Sequence, residues 1–461
     1  MVRNRKISAL VLTGALSAAL GMTAYASTQH YNNSSVIGAS AEWAAWVQEW
    51  PSVASDYTKV SITPGSDDTQ LNFAWYSRAD MGKTTPVVQF GADKADLKEF
   101  KGSVQSVDPK LTDGHQYVCN HVTVTGLKEN TAYHYRVEKN GVWGNDNNYH
   151  TGSFSNVKIM LVGDPQIGAS KGQDQGGGKL ENKDGTANTA ARNDGFAWNR
   201  TLNIAMADNP GINFIISAGD QVNKTGKAKE EEYAAFLSPS VISKTAVATT
   251  IGNHDSLNTD YSAHFFDPDQ TGDGKTAAGG DYYYSYGPGL FVVLNTNNYN
   301  VAEHEDTIKK AIAADPDAKW RVVTIHQDIY GSGQDHSETD GMILRTQLTP
   351  VFDKYDIDVV LQGHDHTYSR TYQITSDGSE HSSYTKAPSS SDAEAFSSYL
   401  KDNLCYTLTT GSDDTTKAID PKGTVYFEAN SATGSKYYQL IGTQQDYIAA
   451  RCQSWRPTYS V

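Results

Sequence analysis

The stretch VVLQGHDHTYSR, residues 359–370, joins an apolar run to two histidines, His364 and His366, which are separated by one residue. Because a strand places residues i and i+2 on one face, two such imidazoles can converge beyond the strand end. One pair decides little, since a histidine at a strand end is more often a hydrogen-bonded core residue than a ligand. Its meaning depends on what the other strands bring to the same edge.

Five apolar runs, including this one, end in acidic or metal-competent residues. Helix-like segments such as 196–208, 230–239 and 305–315 lie between several of the runs, and this alternation predicts an α/β domain. In open α/β sheets, sites form beyond the carboxyl ends of the strands. Each residue alone has an ordinary interpretation as a turn or core residue, but five strand ends together favour one site. The residues that follow the runs are Asp164, Asp220, the triplet Asn253-His254-Asp255, His326, and the pair His364 and His366.

The donor atoms of these side chains are oxygens and imidazole nitrogens. Such ligands suit two divalent or trivalent ions, with Fe, Mn and Zn as candidates, better than they suit a thiolate zinc site. A carboxylate can bridge two ions about 3.5–4 Å apart, and a hydroxide held between them can attack phosphorus. The three cysteines, Cys119, Cys405 and Cys452, lack the spacing of a zinc site. A Cys405–Cys452 disulfide and unpaired buried thiols are both compatible with the sequence.

The N-terminus has the three parts of an export signal. Arg3, Arg5 and Lys6 form a basic segment, residues 7–20 are apolar, and Ala24-Tyr25-Ala26 fits the small-x-small cleavage rule. A membrane anchor is the alternative, but the apolar run is shorter than the roughly 20 residues that a span requires. We therefore predict a signal peptide over residues 1–26, a secreted or extracytoplasmic protein, and no membrane span after cleavage.

Charge and composition limit the partners. The net charge is −15, from 53 acidic and 38 basic residues, and this balance disfavours a nucleic-acid-binding module or binding to an anionic membrane. It does not exclude a small phosphorylated substrate, because the charge of bound metal ions outweighs the global field locally.

The chain divides into segments of different pattern. Residues 27–55 are polar with scattered aromatics and are interpreted as a leader segment. Residues 56–154 show short alternating runs separated by turn signals, which predict an antiparallel β-sandwich. Residues 157–455 carry the apolar runs and form the predicted catalytic domain. The fold class is thus multidomain α+β, a β-sandwich followed by an α/β domain.

The motifs GDPQ (163–166), GDQVN (219–223), GNHD (252–255) and GHDHTYSR (363–370), with His326 between the last two, resemble the calcineurin-like metallophosphoesterases. The stretches NHVTVTGLKENTAYHYRV and GTVYFEANSATGSKYY are similar to the purple acid phosphatase-like branch of that family. The resemblance implies a fibronectin type III-like fold for the sandwich. For the catalytic domain it implies a four-layer α/β/β/α sandwich.

The resemblance also implies a ligand set and substrate-side residues. Asp220 would bridge two metals, Asp164 and His366 would complete one of them, and Asn253, His326 and His364 the other. Asn253, His254 and His336 would contact the phosphate. His254 and His336 would act as catalytic donors to the phosphate or the leaving group. Asp255 would orient the His254 imidazole, with an ordinary turn role as the alternative.

Two positions depart from the family pattern. Asn223 stands where purple acid phosphatases carry the tyrosine that binds the ferric ion and gives the colour. Gln166 stands where the wider family has a histidine, and its amide is either a weak metal ligand or a hydrogen-bond partner of bridging water. We therefore predict a protein without the purple colour.

The function that these features favour is an exported binuclear-metal phosphatase that hydrolyses phosphomonoesters by direct attack of metal-bound hydroxide. A phosphodiesterase or nucleotidase on the same metal core is the alternative. A non-catalytic surface-binding protein, in which the sandwich binds and the α/β domain is inactive, is a third hypothesis, and the presence of all six core ligand candidates disfavours it.

Overall fold

The computed structural model describes residues 40–81, 85–170, 189–334, 341–379, 404–409, 422–442 and 444–461, together with residues 336, 381, 395 and 398. The predicted signal peptide, residues 1–26, lies outside the described residues, as does the first part of the predicted leader. Among the described helices, none has both the length and the apolar character needed to cross a membrane.

The first domain is an antiparallel β-sandwich, as predicted. One sheet has the strand order β1-β2-β6-β5, and the other has the order β4-β3-β7-β8, with β9 also paired to β7. Phe73 and Trp75 on one sheet pack with Val88 and Tyr135 on the other, and all four are buried. The strands are β1 (Ser61–Pro64), β2 (Gln70–Arg78), β3 (Val87–Gly91), β4 (Lys98–Lys101), β5 (Ser103–Ser106), β6 (Tyr117–Thr125), β7 (Ala132–Lys139), β8 (Val142–Trp143) and β9 (Asn147–His150).

The second domain contains two further main sheets. A parallel sheet has the order β10-β11-β12, and a mixed seven-stranded sheet has the order β13-β14-β15-β16-β20-β17-β21. Strands β14, β15, β16 and β20 are parallel to one another, and β18 pairs with β19 at one side. The strands are β10 (Ile159–Val162), β11 (Phe214–Ser217), β12 (Ala246–Thr249), β13 (Tyr282–Tyr286), β14 (Gly289–Val293), β15 (Trp320–Thr324), β16 (Val359–Gln362), β17 (Tyr368–Thr371), β18 (Ile374–Ser376), β19 (Tyr406–Leu408), β20 (Val425–Glu428) and β21 (Ile448–Cys452).

Helices cover the outer faces of the two sheets. The first three helices share a core with β10–β12, and the last two long helices share a core with the seven-stranded sheet. The helices are α1 (Ser40–Ala54), α2 (Thr189–Asp208), α3 (Glu230–Phe236), α4 (Asp260–His264), α5 (Val301–Ala314) and α6 (Gly341–Lys354).

Alternation along the strands creates the four layers. Ile215 of β11 packs toward the helices, whereas Phe214 and Ile216 on either side of it pack toward the other sheet. Strand β14 of the other sheet alternates in the same way: Val292 faces the helices on its own side, and Phe291 faces β11. Because successive side chains point to opposite faces, a strand that is buried on both faces reads as a continuous apolar run. The predicted α/β/β/α arrangement is therefore confirmed.

Helix α1 changes the interpretation of the leader segment. Trp46, Trp50 and Val53 are spaced to lie on one face of the helix, and all three are buried in the core shared with α2 and α3. The Trp46 indole N–H donates to the carbonyl of Arg192 at 2.7 Å. Residues 40–54 thus pack on the catalytic domain, although they precede the β-sandwich in the chain. The polar residues of this segment lie on the exposed face of one helix, and the aromatic residues lie on its buried face.

The chain extends the catalytic domain beyond the predicted limit at residue 455. Ser460 exchanges two backbone hydrogen bonds with Leu161 of β10, at 2.9 and 3.0 Å. Two residues further along the same edge, Ala432 donates its N–H to the Gly163 carbonyl at 2.8 Å. The C-terminal residues therefore cover the edge of β10, the strand that leads to Asp164.

Candidate metal centre

The carboxyl ends of the strands bring the predicted ligands together. His326, which follows β15, has Nε2 2.9 Å from Asn253 Oδ1 and 3.5 Å from Asp220 Oδ1. Its Nδ1 lies 3.9 Å from Oδ1 of Asp164, and His366 Nε2 lies 3.6 Å from the same oxygen. These residues come from loops after five strands of two different sheets. The sequence spacing between the first and the last exceeds two hundred positions.

The backbone at this site is strained. Non-glycine residues with positive φ are uncommon, and each costs on the order of 1–3 kcal/mol unless its surroundings enforce the conformation. A Cβ on Gly219 would clash with the His326 ring, and a Cβ on Gly363 would clash with the Asp164 carboxylate, which explains why glycine precedes the ligands. The candidate site residues with positive φ are Asp164 (37°), Gln166 (37°), Asp220 (49°), His364 (75°) and His366 (47°).

Backbone carbonyls set the tautomers of two histidines. His326 Nδ1 donates to the Ala218 carbonyl at 2.9 Å, and His366 Nδ1 donates to the Lys436 carbonyl at 2.8 Å. Each ring therefore presents an unprotonated Nε2 to the site. Burial lowers the pKa of His326 to about 4 and that of His366 to about 3, so both rings are neutral above that range. Neutral imidazole is the form that binds metal ions.

The converging side-chain atoms are acceptors, and two of them lack a donor among the described residues. Asp164 Oδ1 and Gln166 Oε1 are buried, and neither has a hydrogen-bond partner in the described part of the chain. Burial and the neighbouring Asp220 carboxylate raise the pKa of Asp164 well above its usual value. Burial opposes ionisation of Asp220 too, but His326, His254 and His364 hold the pKa of Asp220 below its usual value. Buried acceptors without donors are costly, so the arrangement fits bound cations.

The adjacent residues His364 and Asp365 contact different clusters of side chains. The His364 N–H donates to Asp164 Oδ2 at 2.9 Å, and its ring lies edge-on to His326 with centroids 4.7 Å apart. Asp365 Oδ1 instead accepts the backbone N–H of His336 at 2.9 Å. Its carboxylate belongs to a second buried acidic group with Asp328 and Glu428. The two histidines around Asp365 thus share the metal site, whereas Asp365 supports the loop of His336.

His254 lies at the mouth of the site, with about a quarter of its side chain (24%) exposed. Its backbone N–H donates to Asp220 Oδ1 at 2.8 Å, and its ring Nδ1 contacts the carbonyl of Asn223. The opposite ring nitrogen, Nε2, is 4.0 Å from Asp220 Oδ2. The imidazole is therefore anchored at one nitrogen and faces the Asp220 carboxylate with the other.

The described contacts of Asp255 are to the neighbouring loops, in line with the turn role given as its alternative, and the orienting role stays a prediction. Its Oδ2 accepts from the N–H of Gly252 at 3.0 Å and from both the side chain and the N–H of Gln221, at 3.0 and 3.3 Å. Burial raises the pKa of Asp255 to about 7. The carboxylate ties the loops that carry Asp220 and Asn253 together. The Asn223 carbonyl, which has no signature in the sequence, occupies the orienting position at His254.

His336 lies beside the predicted ligand His364. Its ring lies against His364 with centroids 3.8 Å apart, and it meets the edge of Tyr438 at 5.6 Å. The His336 ring is half-buried. This position is compatible with a contact to phosphate, and its catalytic role stays a prediction, as does ligation by Gln166.

The side chain of Asn223 is directed away from the site. Its amide nitrogen donates to the Gly168 carbonyl at 3.4 Å, and its own N–H donates to the buried Glu232 at 2.9 Å. With no phenolate at position 223, we expect iron-loaded protein to lack the strong visible charge-transfer band of the purple enzymes. Visible absorption together with elemental iron content would test this, since the iron value shows that a colourless sample is not simply metal-free. A strong visible band would contradict the prediction.

Lys229 is a residue that sequence patterns did not reveal. Its side chain is fully buried, with Nζ 3.0 Å from the carbonyl of His254 and 3.7 Å from Oδ1 of Asp260. The next residue, Glu230, binds His264 at 2.8 Å and accepts from Tyr76 of the β-sandwich at 3.3 Å. In the sequence, Lys229 belongs to a charged run that is typical of the solvent-exposed first turn of a helix. Here it fixes the backbone of the loop that presents the His254 ring.

We expect Lys229→Met to lower the free energy of unfolding by about 3–5 kcal/mol, because Asp260 loses its buried cation. The double variant Lys229→Met, Asp260→Asn removes both charges and should regain much of that loss. Both variants should retain metal but show kcat lowered by roughly tenfold, since the His254 carbonyl loses its donor. Urea unfolding, metal analysis and steady-state kinetics separate the two effects. Wild-type kcat in the double variant would contradict a positioning role.

Fold and site together define a class of protein. Two sheets between helical layers, with carboxylate, amide and imidazole donors at the carboxyl ends of the strands, are the arrangement of metal-dependent phosphoric ester hydrolases. Residues 157–368 match the family described as calcineurin-like phosphoesterase, and residues 57–151 match the purple acid phosphatase N-terminal domain. The chain therefore contains both domains, and the predicted resemblance is confirmed. This fold uses a binuclear metal centre, and it does not determine which metals are bound.

Individual proteins are only distantly similar. Purple acid phosphatase PPD1 from yellow lupin (Lupinus luteus) seeds aligns with a TM-score of 0.54 and 14% identity, over 86% of this chain and 68% of that chain. PhoD aligns with a TM-score of 0.48 and 12% identity, over 83% and 78%. Two uncharacterized proteins of Mycobacterium tuberculosis, from strains CDC 1551 and H37Rv, are 33% identical over 60 residues. That match covers 13% of this chain and only 11% of each curated relative.

Proposed function

We propose that the protein is an exported phosphatase that hydrolyses phosphomonoesters at a binuclear metal centre. The observation that carries this proposal is the convergence of acceptor atoms from the buried Asp164, Asp220 and His326 and the half-buried Asn253 beside a partly exposed histidine. Such a set of oxygen and imidazole donors suits two cations, and His254 supplies a proton donor at the open side.

Each candidate ligand has a distinct part in the proposed centre. Asp220 would bridge the ions, with Asp164 and His366 on one of them and Asn253, His326 and His364 on the other. When bound, the ions would polarise the phosphoryl oxygens and supply a hydroxide nucleophile at moderate pH. The protein keeps His326 and His366 neutral by burial and holds their rings with backbone carbonyls, so that both Nε2 atoms are available.

The substrate-side residues would bind the phosphate and serve the leaving group. His254 holds Nδ1 against the Asn223 carbonyl, which leaves its Nε2 4.0 Å from Oδ2 of Asp220. From there it can donate a hydrogen bond to a phosphoryl oxygen or a proton to the leaving alkoxide. His336 would contact the same phosphate from the other side, next to His364. Asn253 would contact the phosphate through its amide as well as a metal through its oxygen.

Export rests on the N-terminal sequence. The basic segment, the short apolar run and Ala24-Tyr25-Ala26 support a cleaved signal peptide and a secreted or extracytoplasmic location. Mass spectrometry of the N-terminus of protein recovered from the medium or periplasm would show a chain that begins at Ser27. Recovery of the intact N-terminus in the cell would contradict export with cleavage.

A substrate panel tests the activity. We expect phenyl phosphate to be hydrolysed with a larger kcat/KM than bis(p-nitrophenyl) phosphate or AMP, and purified protein to contain about two metal ions per chain. Faster hydrolysis of the diester or of AMP would support the phosphodiesterase or nucleotidase alternative. Two bound metals without turnover of any phosphate ester would favour the surface-binding hypothesis.

A further inference from the structure

Lys436 lies beside the proposed site on the segment that follows β20. Its carbonyl accepts the Nδ1 hydrogen of His366 at 2.8 Å, which anchors its backbone to a candidate metal ligand. Its side chain is half-buried. Lys436 is therefore held in place at the backbone while its ammonium group stays accessible.

The ammonium group of Lys436 packs on an aromatic ring. Lys436 Nζ lies 4.5 Å from the ring centroid of Tyr438. That ring meets His366 edge-on at 5.3 Å and His336 edge-on at 5.6 Å. Tyr438 thus stands between the lysine and the two histidines, one proposed for metal and one for phosphate. The ammonium group therefore lies on the same ring that contacts both histidines.

The electrostatic setting agrees with this placement. Burial raises the pKa of Asp164 well above its usual value, and the positive charge of Lys436 opposes that rise. Burial also lowers the pKa of His366 to about 3; the hydrogen bond to the Lys436 carbonyl opposes that shift, and the positive charge of Lys436 adds to it. In the described part of the chain, no carboxylate lies within ion-pairing distance of Lys436 Nζ. A flexible cation close to the centre is thus available to an anionic ligand.

We propose that Lys436 binds a second phosphate of the substrate, adjacent to the scissile one, so that the site prefers organic or inorganic diphosphates over esters with a single phosphate. This inference rests on the proposed phosphatase function. The metals and His254 would hold the scissile phosphate, and the four-carbon stem of Lys436 would reach past Tyr438 to the next anionic group. A charge-assisted contact of this kind changes affinity by roughly 10- to 100-fold.

Binding of two non-hydrolysable probes tests the inference without turnover. Methylenediphosphonate carries two phosphonates, and phenylphosphonate carries one. Calorimetry with metal-loaded protein measures the two affinities. Lys436→Met should lower the affinity for methylenediphosphonate roughly 10- to 100-fold more than it lowers the affinity for phenylphosphonate. Lys436→Arg, which keeps the charge, should restore most of the difference. Lys319→Met, an exposed lysine before β15, is the matched control and should leave both affinities as in wild type.

Kinetics and metal analysis separate this inference from the proposed function. The same variants should show a KM for inorganic pyrophosphate that changes more than the KM for phenyl phosphate, at unchanged metal content. Equal weakening of both probes, or no weakening, would overturn the role of Lys436 even if phenyl phosphate is hydrolysed normally. If Lys436→Met selectively lost affinity for methylenediphosphonate but the wild-type protein hydrolysed no phosphate ester, the result would support the binding role of Lys436 and reject the phosphatase proposal.

Discussion

Asp220→Asn is expected to lower kcat/KM for phenyl phosphate by a factor on the order of 10³ and to reduce the metal content below two ions per chain. Asp220 Oδ1 is 3.5 Å from His326 Nε2 and also accepts the His254 N–H at 2.8 Å. Asparagine has the same size, so the loop can keep its shape. It carries no negative charge, however, and only one of its two terminal polar atoms, the amide oxygen, can bind a cation.

The control for this variant is Asp358→Asn. Asp358 is buried and accepts a backbone N–H from Arg321 at 2.9 Å, but it precedes β16 at the opposite end of the strand from His364. Elemental analysis and steady-state kinetics should show a large effect for Asp220→Asn and a small one for the control. Full activity in Asp220→Asn combined with His364→Ala would reject the enzymatic interpretation altogether.

His254→Ala is expected to lower kcat by roughly 10²–10³-fold for alkyl phosphates, while metal content stays as in wild type. Nε2 of His254 is free of backbone contacts in the described structure, whereas Nδ1 is held by the Asn223 carbonyl. A proton donor matters most when the leaving alkoxide is basic. The loss should therefore be smaller for p-nitrophenyl phosphate than for a simple alkyl phosphate.

A series of esters with leaving groups of different pKa measures this dependence. His150→Ala, at an exposed histidine on β9 of the sandwich, serves as the control and should behave as wild type. A loss of the same size for every ester would show that His254 binds phosphate without protonating the leaving group. No loss for any ester would remove His254 from the mechanism.

Much of the α/β domain follows from short-range patterns. The runs that become β10, β11, β12, β14, β15 and β16 are apolar because both faces of each strand are buried between layers. Helix α6 was not predicted, since Pro350 interrupts an otherwise weak helical pattern. Leu344, Leu348 and Phe352 nevertheless pack on the seven-stranded sheet, and this burial stabilises the helix around the proline. Here tertiary packing outweighs local propensity.

The sequence by itself determined the donor chemistry: which oxygens and imidazoles follow the strands, and which glycines allow a ligand to sit in a left-handed conformation beside its neighbour. These signals are local, because a strand end and its next few residues are adjacent in the chain. Only the tertiary structure decided what holds those donors. The Asn223 carbonyl at His254, the buried Lys229 and the Lys436 carbonyl at His366 act across 25 to 70 positions. Every residue has a backbone carbonyl, so its partner is fixed by folding and leaves no mark in the residue type.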